Sequence, residues 1–463
     1  MIDLGLKLYE EYGDIVKLKG IPGKRDMVFL YDLDDIEKVY RTEGTWPVRP
    51  GLETRDHYIK KKRPEIFKSV YGLLHSHGED WQNIRTKVNQ PMMQIKVTRQ
   101  YVGWIEEIAN DFIKRLQTLL DAEGNVPQNF LREVDRWSLE SIARIAVDTR
   151  LGCLDDNLTE DSDGMRLIKS IQRYFDLAYQ IEILPSFWRY INTPKYNEII
   201  QIFDCLQKNI FNCNSKLNVD LINIFSIAVK HISQAIKRLE ANPTTDDSNL
   251  SVLEHLLKID PQVAFVMALD MFFAGVDTTA SSTISAMYFL AKNPDKQNKL
   301  RSELRAIFPN NSPITAEGLN SSSYLKACFK ETHRMKPVAI GNMRLAGADI
   351  TLGGYFIPKG HHVAARVKNQ FPDPDKYIPE RWLRTSPGSV PPAKSAHKFA
   401  YMPFGFGPRM CVGRRFAELE MEVLVTRLIT NYQIDWNGPD MQYKSSLILG
   451  PTGPMRFRLT PLN

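Results

Sequence analysis

The sequence predicts a mainly α protein of the α+β class, a large helical lobe with a small β lobe. Three observations predict it. Apolar residues recur at helical spacing over most of Asp34–Asp260, a long apolar stretch lies between Pro261 and Pro294, and short alternating apolar runs sit near both ends of the helical part.

The first alternating runs, Asp14–Lys19 and Met27–Tyr31, flank the turn Ile21-Pro-Gly-Lys and read as a hairpin. Val102–Leu120 places Ile105, Ile108, Ala109, Phe112, Ile113 and Leu116 on one helix face. The polar segment Ala241–Asn249 reads as a loop. Gln262–Asn293 would form a helix about 48 Å long at 1.5 Å per residue. It is apolar on nearly every face, so burial is expected. Asp270, Asp277 and the hydroxyls of Thr278, Thr279, Ser281, Ser282 and Thr283 argue against a membrane span. A helix follows at Ser322–Met335, then short strands around Ile350–Ile357 and an irregular, proline-rich stretch from Phe371 to Lys398. A last helix runs from just after Cys411 to Asn431.

The 463 residues carry 43% hydrophobic and 25% charged side chains and a net charge of +6. That balance excludes a disordered or fibrous chain and is too mild to suggest nucleic acid. Five cysteines without a CxxC pair suggest a reducing compartment, with any special cysteine acting singly. No composition break separates domains. Residues 1–463 read as one unit, its β lobe drawn from 14–50 and 340–370 and its helical lobe from 51–339 and 371–463.

The sharpest feature is Phe404-Gly-Phe-Gly407-Pro-Arg409-Met-Cys411-Val-Gly413, with a helix after the cysteine. The pattern places one sulfur at a helix N-terminus, where free N–H groups and the dipole favour a thiolate. A lone cysteine there is more often an inert buried thiol. A thiolate in a glycine-rich loop also suits an axial ligand to haem iron, and glycine lets the backbone approach the porphyrin plane.

This stretch resembles the haem-binding loop of the cytochrome P-450 family, FxxGxRxCxG. Five fixed positions would recur by chance in roughly one chain in three thousand of this length. Ala274-Gly-Val-Asp277-Thr278-Thr279, Glu331-Thr-His-Arg334 with Pro379-Glu-Arg381-Trp382, and Trp81-Gln-Asn-Ile-Arg85 resemble further family motifs in the expected order, so the resemblance spans nearly the whole chain. It implies haem b (iron protoporphyrin IX), with Cys411 as axial ligand. Trp81, Arg85, Arg344, Phe404, Arg409 and Gly413 would surround the haem. Asp277 and Thr278 would form the proton-delivery pair, Thr278 beside dioxygen and Asp277 relaying protons from solvent. Gly275 would leave room for dioxygen and for a local opening of the helix. Glu331, Arg334 and Arg381 would form a buried structural network.

Lys326, Lys330, Arg414 and Arg415 resemble the docking face of the mitochondrial branch, which takes electrons from an acidic ferredoxin served by an NADPH-dependent ferredoxin reductase. Arg41-Thr-Glu-Gly-Thr-Trp-Pro and Pro91-Met-Met-Gln further resemble insect mitochondrial members. The resemblance implies a monooxygenase that inserts one atom of O2 into an apolar xenobiotic or steroid-like molecule. It implies the matrix face of the inner mitochondrial membrane, with peripheral membrane contact. Two other readings are a haem-thiolate isomerase or dehydratase and an inactive helical scaffold. Relative to the family the N-terminus looks truncated, Gly360–Phe371 looks short, and Cys205–Asn223 reads as an insertion.

Overall fold

The structure is a computed structural model that describes residues 2–156, 158–205, 232–234, 236–237, 241, 250–339, 341–365, 370–384 and 392–462. The loop expected at Ala241–Asn249 apart from Ala241, the insertion expected at Cys205–Asn223 apart from Cys205, and part of the short stretch before Phe371 lie outside the described residues.

Seven helices build the site: α1 (Gly78–Met93), α2 (Val102–Leu119), α3 (Phe130–Val147), α4 (Asp163–Ala178), α5 (Pro261–Lys292), α6 (Ser323–Met335) and α7 (Arg414–Asn431). α5 starts where the sequence says it should. The Asp260 side chain accepts from the N–H groups of Gln262 and Val263, and Pro261 takes a position that needs no donor. By length and composition α5 could cross a membrane, but 78% of its most apolar window is buried inside the protein. Between its two ends only Ala274, Gly275 and Thr278 are not buried. Residues i, i+1 and i+4 share one side of a helix, so α5 opens along one short strip at mid-length.

α3 lies along α5. A Cβ on Gly275 would sit 2.9 Å from Ile142 Cγ1, so glycine is what permits this close approach. This corrects the expectation of a local opening there: α5 is helical without a break through Gly275. The Ser138 hydroxyl of α3 donates to the Val276 carbonyl at 3.0 Å.

The β lobe is a sheet of β1 (Ile15–Leu18), β2 (Met27–Leu30), β3 (Asn342–Leu345) and β6 (His362–Ala365), in the order β1-β2-β6-β3. β1 and β2 form the expected hairpin, and β2 runs parallel to β6 with Val28 opposite Val363. β4 (Ile350–Leu352) and β5 (Tyr355–Ile357) pair beside it. Val28, Leu30, Ile36, Val39, Leu352 and Val363 share a small core of their own. The C-terminal part, read from sequence as helical, also holds two ribbons. β7 (Tyr432–Trp436) pairs with β10 (Phe457–Pro461), and β8 (Gln442–Ser445) with β9 (Leu449–Thr452). Each strand is four or five residues long, too short for a clear alternation signal.

The irregular stretch after β6 is tied down by one carboxylate. Glu331 of α6 has no exposed area. Its oxygens accept from Arg334 Nε at 2.9 Å and Nη2 at 3.0 Å, and from Arg381 Nε at 3.0 Å. The Trp382 indole at 2.8 Å and the Ile378 N–H at 2.9 Å complete the set. The arginines then reach backbone carbonyls of Pro372, Pro374 and Lys376, so the charge network holds the path of the chain toward Cys411. Removing one partner of a buried charge set costs about 3–5 kcal/mol because the others stay buried and unpaired. Glu331→Ala should lower the unfolding free energy from denaturant titration by that amount, whereas Glu198→Ala, which breaks the exposed pair with Arg173, should cost less than about 1 kcal/mol. Equal shifts in the two variants would show that the network carries no special weight.

Candidate functional site

The loop Phe404–Gly413 joins the irregular stretch to α7. Gly405 (φ 76°) and Gly407 (φ 68°) both take the left-handed backbone conformation that side chains disfavour. They fold the loop so that the Cys411 N–H donates to the Phe404 carbonyl at 2.9 Å. Gly413 is the N-cap of α7 at φ −85°, and no protein atom lies within 4 Å of where a Cβ would stand. Neither backbone strain nor protein packing therefore calls for glycine at 413.

Cys411 has an exposed side chain although protein atoms crowd around it. Burial raises its thiol pKa above the ordinary value. The Gly413 N–H and the positive charges of Arg85 and Arg49 act the other way. The helix terminus expected to favour a thiolate is therefore outweighed by desolvation. A coordinated metal ion reverses that balance, since a coordinating thiol is deprotonated outright.

Four arginines converge near this loop. Arg409 is buried, and its guanidinium stacks on Trp81 with 4.2 Å to the ring centre. It donates to the carbonyls of Pro47 at 2.8 Å and Ser76 at 2.6 Å, and meets His77 Nδ1 at 3.2 Å. Arg85, one turn along α1 from Trp81, donates to the Met410 carbonyl at 2.9 Å. Arg344 of β3 pairs with Glu43 and lies over the Tyr40 ring at 4.8 Å. Arg49 donates to the Leu74 carbonyl at 2.9 Å. Burial, then Arg49, Arg344 and Arg85, pull the Arg409 pKa down to about 9. Glu43 is the one carboxylate among the causes acting on Arg409, and burial pushes its own pKa up. The cluster is short of negative charge. Arg49, His77 and Glu43 were missed from sequence, because they sit in loops without periodic signal.

On α5, Thr278 lies on the open strip and its hydroxyl donates to the Ala274 carbonyl at 2.6 Å. Asp277 is buried on the side facing α3 and α4, and burial raises its pKa to about 7. The two neighbours expected to act together thus point to different surroundings. Glu420 of α7 is buried beside Thr279, and burial raises its pKa to about 8.

The four basic residues expected to form one docking face are not equally free. Lys330 is exposed, and Lys326 reaches the Asn320 carbonyl at 3.0 Å. Arg414 pairs with Glu418 at 2.9 Å and lies over Phe404 at 5.4 Å. Arg415 turns away and donates to the Met93 carbonyl at 2.7 Å, fastening the end of α1 to α7. Glu418 and Glu422 lie among these cations, so the face is mixed rather than uniformly basic.

The cytochrome P450 family model matches residues 4–457 of this chain. The chain belongs to the cytochrome P450 family. It is 38% identical over 466 residues to cytochrome P450 12b1, mitochondrial, of Drosophila acanthoptera, covering 98% of this chain and 84% of that protein. It is 36% identical to the probable cytochrome P450 12b2, mitochondrial, of Drosophila melanogaster, covering 100% of this chain and 85% of that one. It is also 36% identical to cytochrome P450 CYP12A2 of Musca domestica, covering 99% and 86%. Members are haem-thiolate monooxygenases that use O2, act on small molecules and hold haem b through a cysteine.

The residues present fit that cofactor on two counts. The four arginines meet Glu43 and, at Arg49, the charge of Asp270, so cations outnumber carboxylates, and haem brings two more carboxylates. Gly413 has space beside it that a planar ring could use. Cys411 would hold the iron, with Arg49, Arg85, Arg344 and Arg409 around the propionates. Cys411→Ser should abolish the long-wavelength Soret band of the reduced carbon monoxide complex. Cys328→Ser, altering a buried thiol of α6, should keep it. The reverse pattern would move the ligand to Cys328.

Proposed function

We propose that this cytochrome P450 oxidises an apolar xenobiotic or steroid-like molecule with electrons from a ferredoxin, itself reduced by an NADPH-dependent reductase. The observation that carries the site reading is the single strip Ala274–Gly275–Thr278 left open on an otherwise buried helix, together with an exposed cysteine deep in the fold.

When bound, haem activates dioxygen so that one atom enters the substrate and the other leaves as water. The chain supplies the surroundings. The buried walls around the strip exclude water and favour an apolar substrate. Thr278 presents a hydroxyl that can exchange its bond to the Ala274 carbonyl for one to a ligand. Asp277, with its pKa raised to about 7, holds or releases a proton at its carboxyl oxygen near neutral pH.

The mitochondrial names of the relatives support a mitochondrial location and a ferredoxin donor for this chain. Leu184, Phe187, Tyr190 and Ile191 are exposed large apolar side chains within eight residues. They support peripheral contact with the matrix face of the inner membrane.

Thr278→Ala should still bind haem and consume NADPH but send more electrons to peroxide. Product formation should drop by ~10²–10⁴ if the alcohol serves acid catalysis. Unchanged coupling of electrons to product would contradict the role.

Weak redox encounters are steered by charge and are screened within about 10 Å at 0.1 M salt. Reduction by ferredoxin should slow as salt rises. The double change Lys326→Glu, Lys330→Glu should weaken ferredoxin binding while the carbon monoxide spectrum and peroxide-driven turnover survive. A double variant reduced as fast as the parent at low salt would point to another donor or another face.

A further inference from the structure

The turn Gly72–His77 runs just ahead of α1 and touches two parts of the site. On one side it sits on α5. Asp270 lies one helical turn before Ala274 and two before Thr278, on the side of α5 that carries the open strip. Its carboxylate accepts from the Leu73 N–H at 2.6 Å and pairs with Arg55 at 2.6 Å. A Cβ on Gly72 would stand 2.7 Å from Asp270 Oδ2, so glycine lets the turn close on the helix. On the other side the turn is clasped by arginines. Arg409 of the cysteine loop donates to the carbonyls of Leu73 at 3.4 Å and Ser76 at 2.6 Å, and Arg49 donates to that of Leu74 at 2.9 Å. The turn therefore bridges α5 and the cysteine loop at the near end of the strip.

His75 stands inside that bridge. Leu73, Leu74 and Ser76 are each fixed through the backbone, yet the imidazole takes part in none of these bonds. His75 is 1% exposed, and among the described residues neither Nδ1 nor Nε2 has a hydrogen-bond partner. Arg55, whose other nitrogen holds Asp270, has a buried Nη1 equally without one. A buried polar group without a partner is costly, and native folds keep few of them. Two on one ring, held in place by bonds on both sides, mark a position kept for recognition rather than for folding. Burial, then the charges of Arg55, Lys60, His77 and Arg409, hold the imidazole pKa well below its ordinary value, so the ring is neutral. It offers one N–H and one bare nitrogen.

We propose that His75 is a specificity-determining residue: its ring hydrogen-bonds an oxygen, ketone or hydroxyl, carried by an otherwise apolar substrate that lies along the strip. A ketone takes the ring N–H. A hydroxyl takes it too, or gives its own proton to the bare nitrogen. A carboxylate is the poorer match, since a neutral ring supplies no charge and Arg55 is already paired with Asp270. The bond fixes one end of the substrate and so selects which carbon faces Thr278. The inference deepens the reading of an apolar xenobiotic or steroid-like substrate and rests on it.

The test is ligand binding to the haem-loaded protein, read from the Soret shift on titration. Two rigid skeletons serve as probes, adamantane and androstane, each with its alcohol and its ketone. In the parent the oxygen-bearing members should bind about tenfold tighter than the hydrocarbons, the worth of one good hydrogen bond. His75→Phe keeps a flat ring without donor or acceptor and should bring that ratio to about one or below. His75→Gln keeps both functions and should retain part of the preference. The carbonyl stretch of bound adamantanone should lie lower in the parent than in His75→Phe, because only the parent ring donates to it.

A ratio of one in the parent, or a ratio unmoved in His75→Phe, overturns the proposal. Where His75→Phe does not fold, a carbonyl stretch in the parent equal to that of adamantanone in an apolar solvent overturns it. Faster haem loss in His75→Phe with the ligand ratio intact overturns it in favour of a bond to a haem propionate. Failure of every probe, hydrocarbons included, to bind the parent overturns the apolar-substrate reading itself.

Discussion

The rest of the fold depends on covering α5. A 32-residue helix with almost no polar face cannot stand in water. α3 runs along it, and α4, α6 and α7 also meet it. Full coverage would leave an inert rod. Among the described residues the middle of the helix is less than fully covered at one strip, Ala274, Gly275 and Thr278. The close seating of α3 at Gly275 and the gap belong together. The same turn that admits Ile142 carries Asp277 inward and Thr278 toward the open strip.

A second constraint is electrical. The loop before α7 brings Arg49, Arg85, Arg344 and Arg409 within reach of one another, with Glu43 as a weak counterweight. Such a cluster opposes folding by self-repulsion and desolvation unless a dianion joins it. A cofactor carrying two carboxylates would relieve that cost. Binding the native state alone would then raise stability as well as supply function. The Glu331 network works in the opposite sense, because its charges are satisfied from within the chain.

The helices were legible because their signals are local. Asp260-Pro261 announces α5, and the apolar period announces α2. The cysteine loop was legible because glycines, arginine and cysteine stand within ten residues. What was not legible depends on partners distant in sequence. Gly275 reads as a place for the helix to open, and only Ile142, 133 positions earlier, shows it to be a packing glycine. Asp135 reads as one polar residue on an amphipathic helix until the Gln172 amide closes on it. Arg415 reads as part of a basic surface until its bond to Met93 shows it holding two helices together. The C-terminal ribbons escaped notice because their partners lie beyond the reach of any short pattern.

The parallel pairing of β2 with β6 also fixes an order of events at the ribosome. The hairpin of β1 and β2 is complete by Leu30, but the strand that closes its open edge ends at Ala365. At ~5–20 residues per second that edge waits on the order of tens of seconds, longer than a hairpin needs to form. Throughout that interval the growing chain carries an unpaired β edge that any passing strand could occupy. The β lobe therefore closes only once the chain has been made as far as β6, and the length between β2 and β6 sets how long that edge stays open.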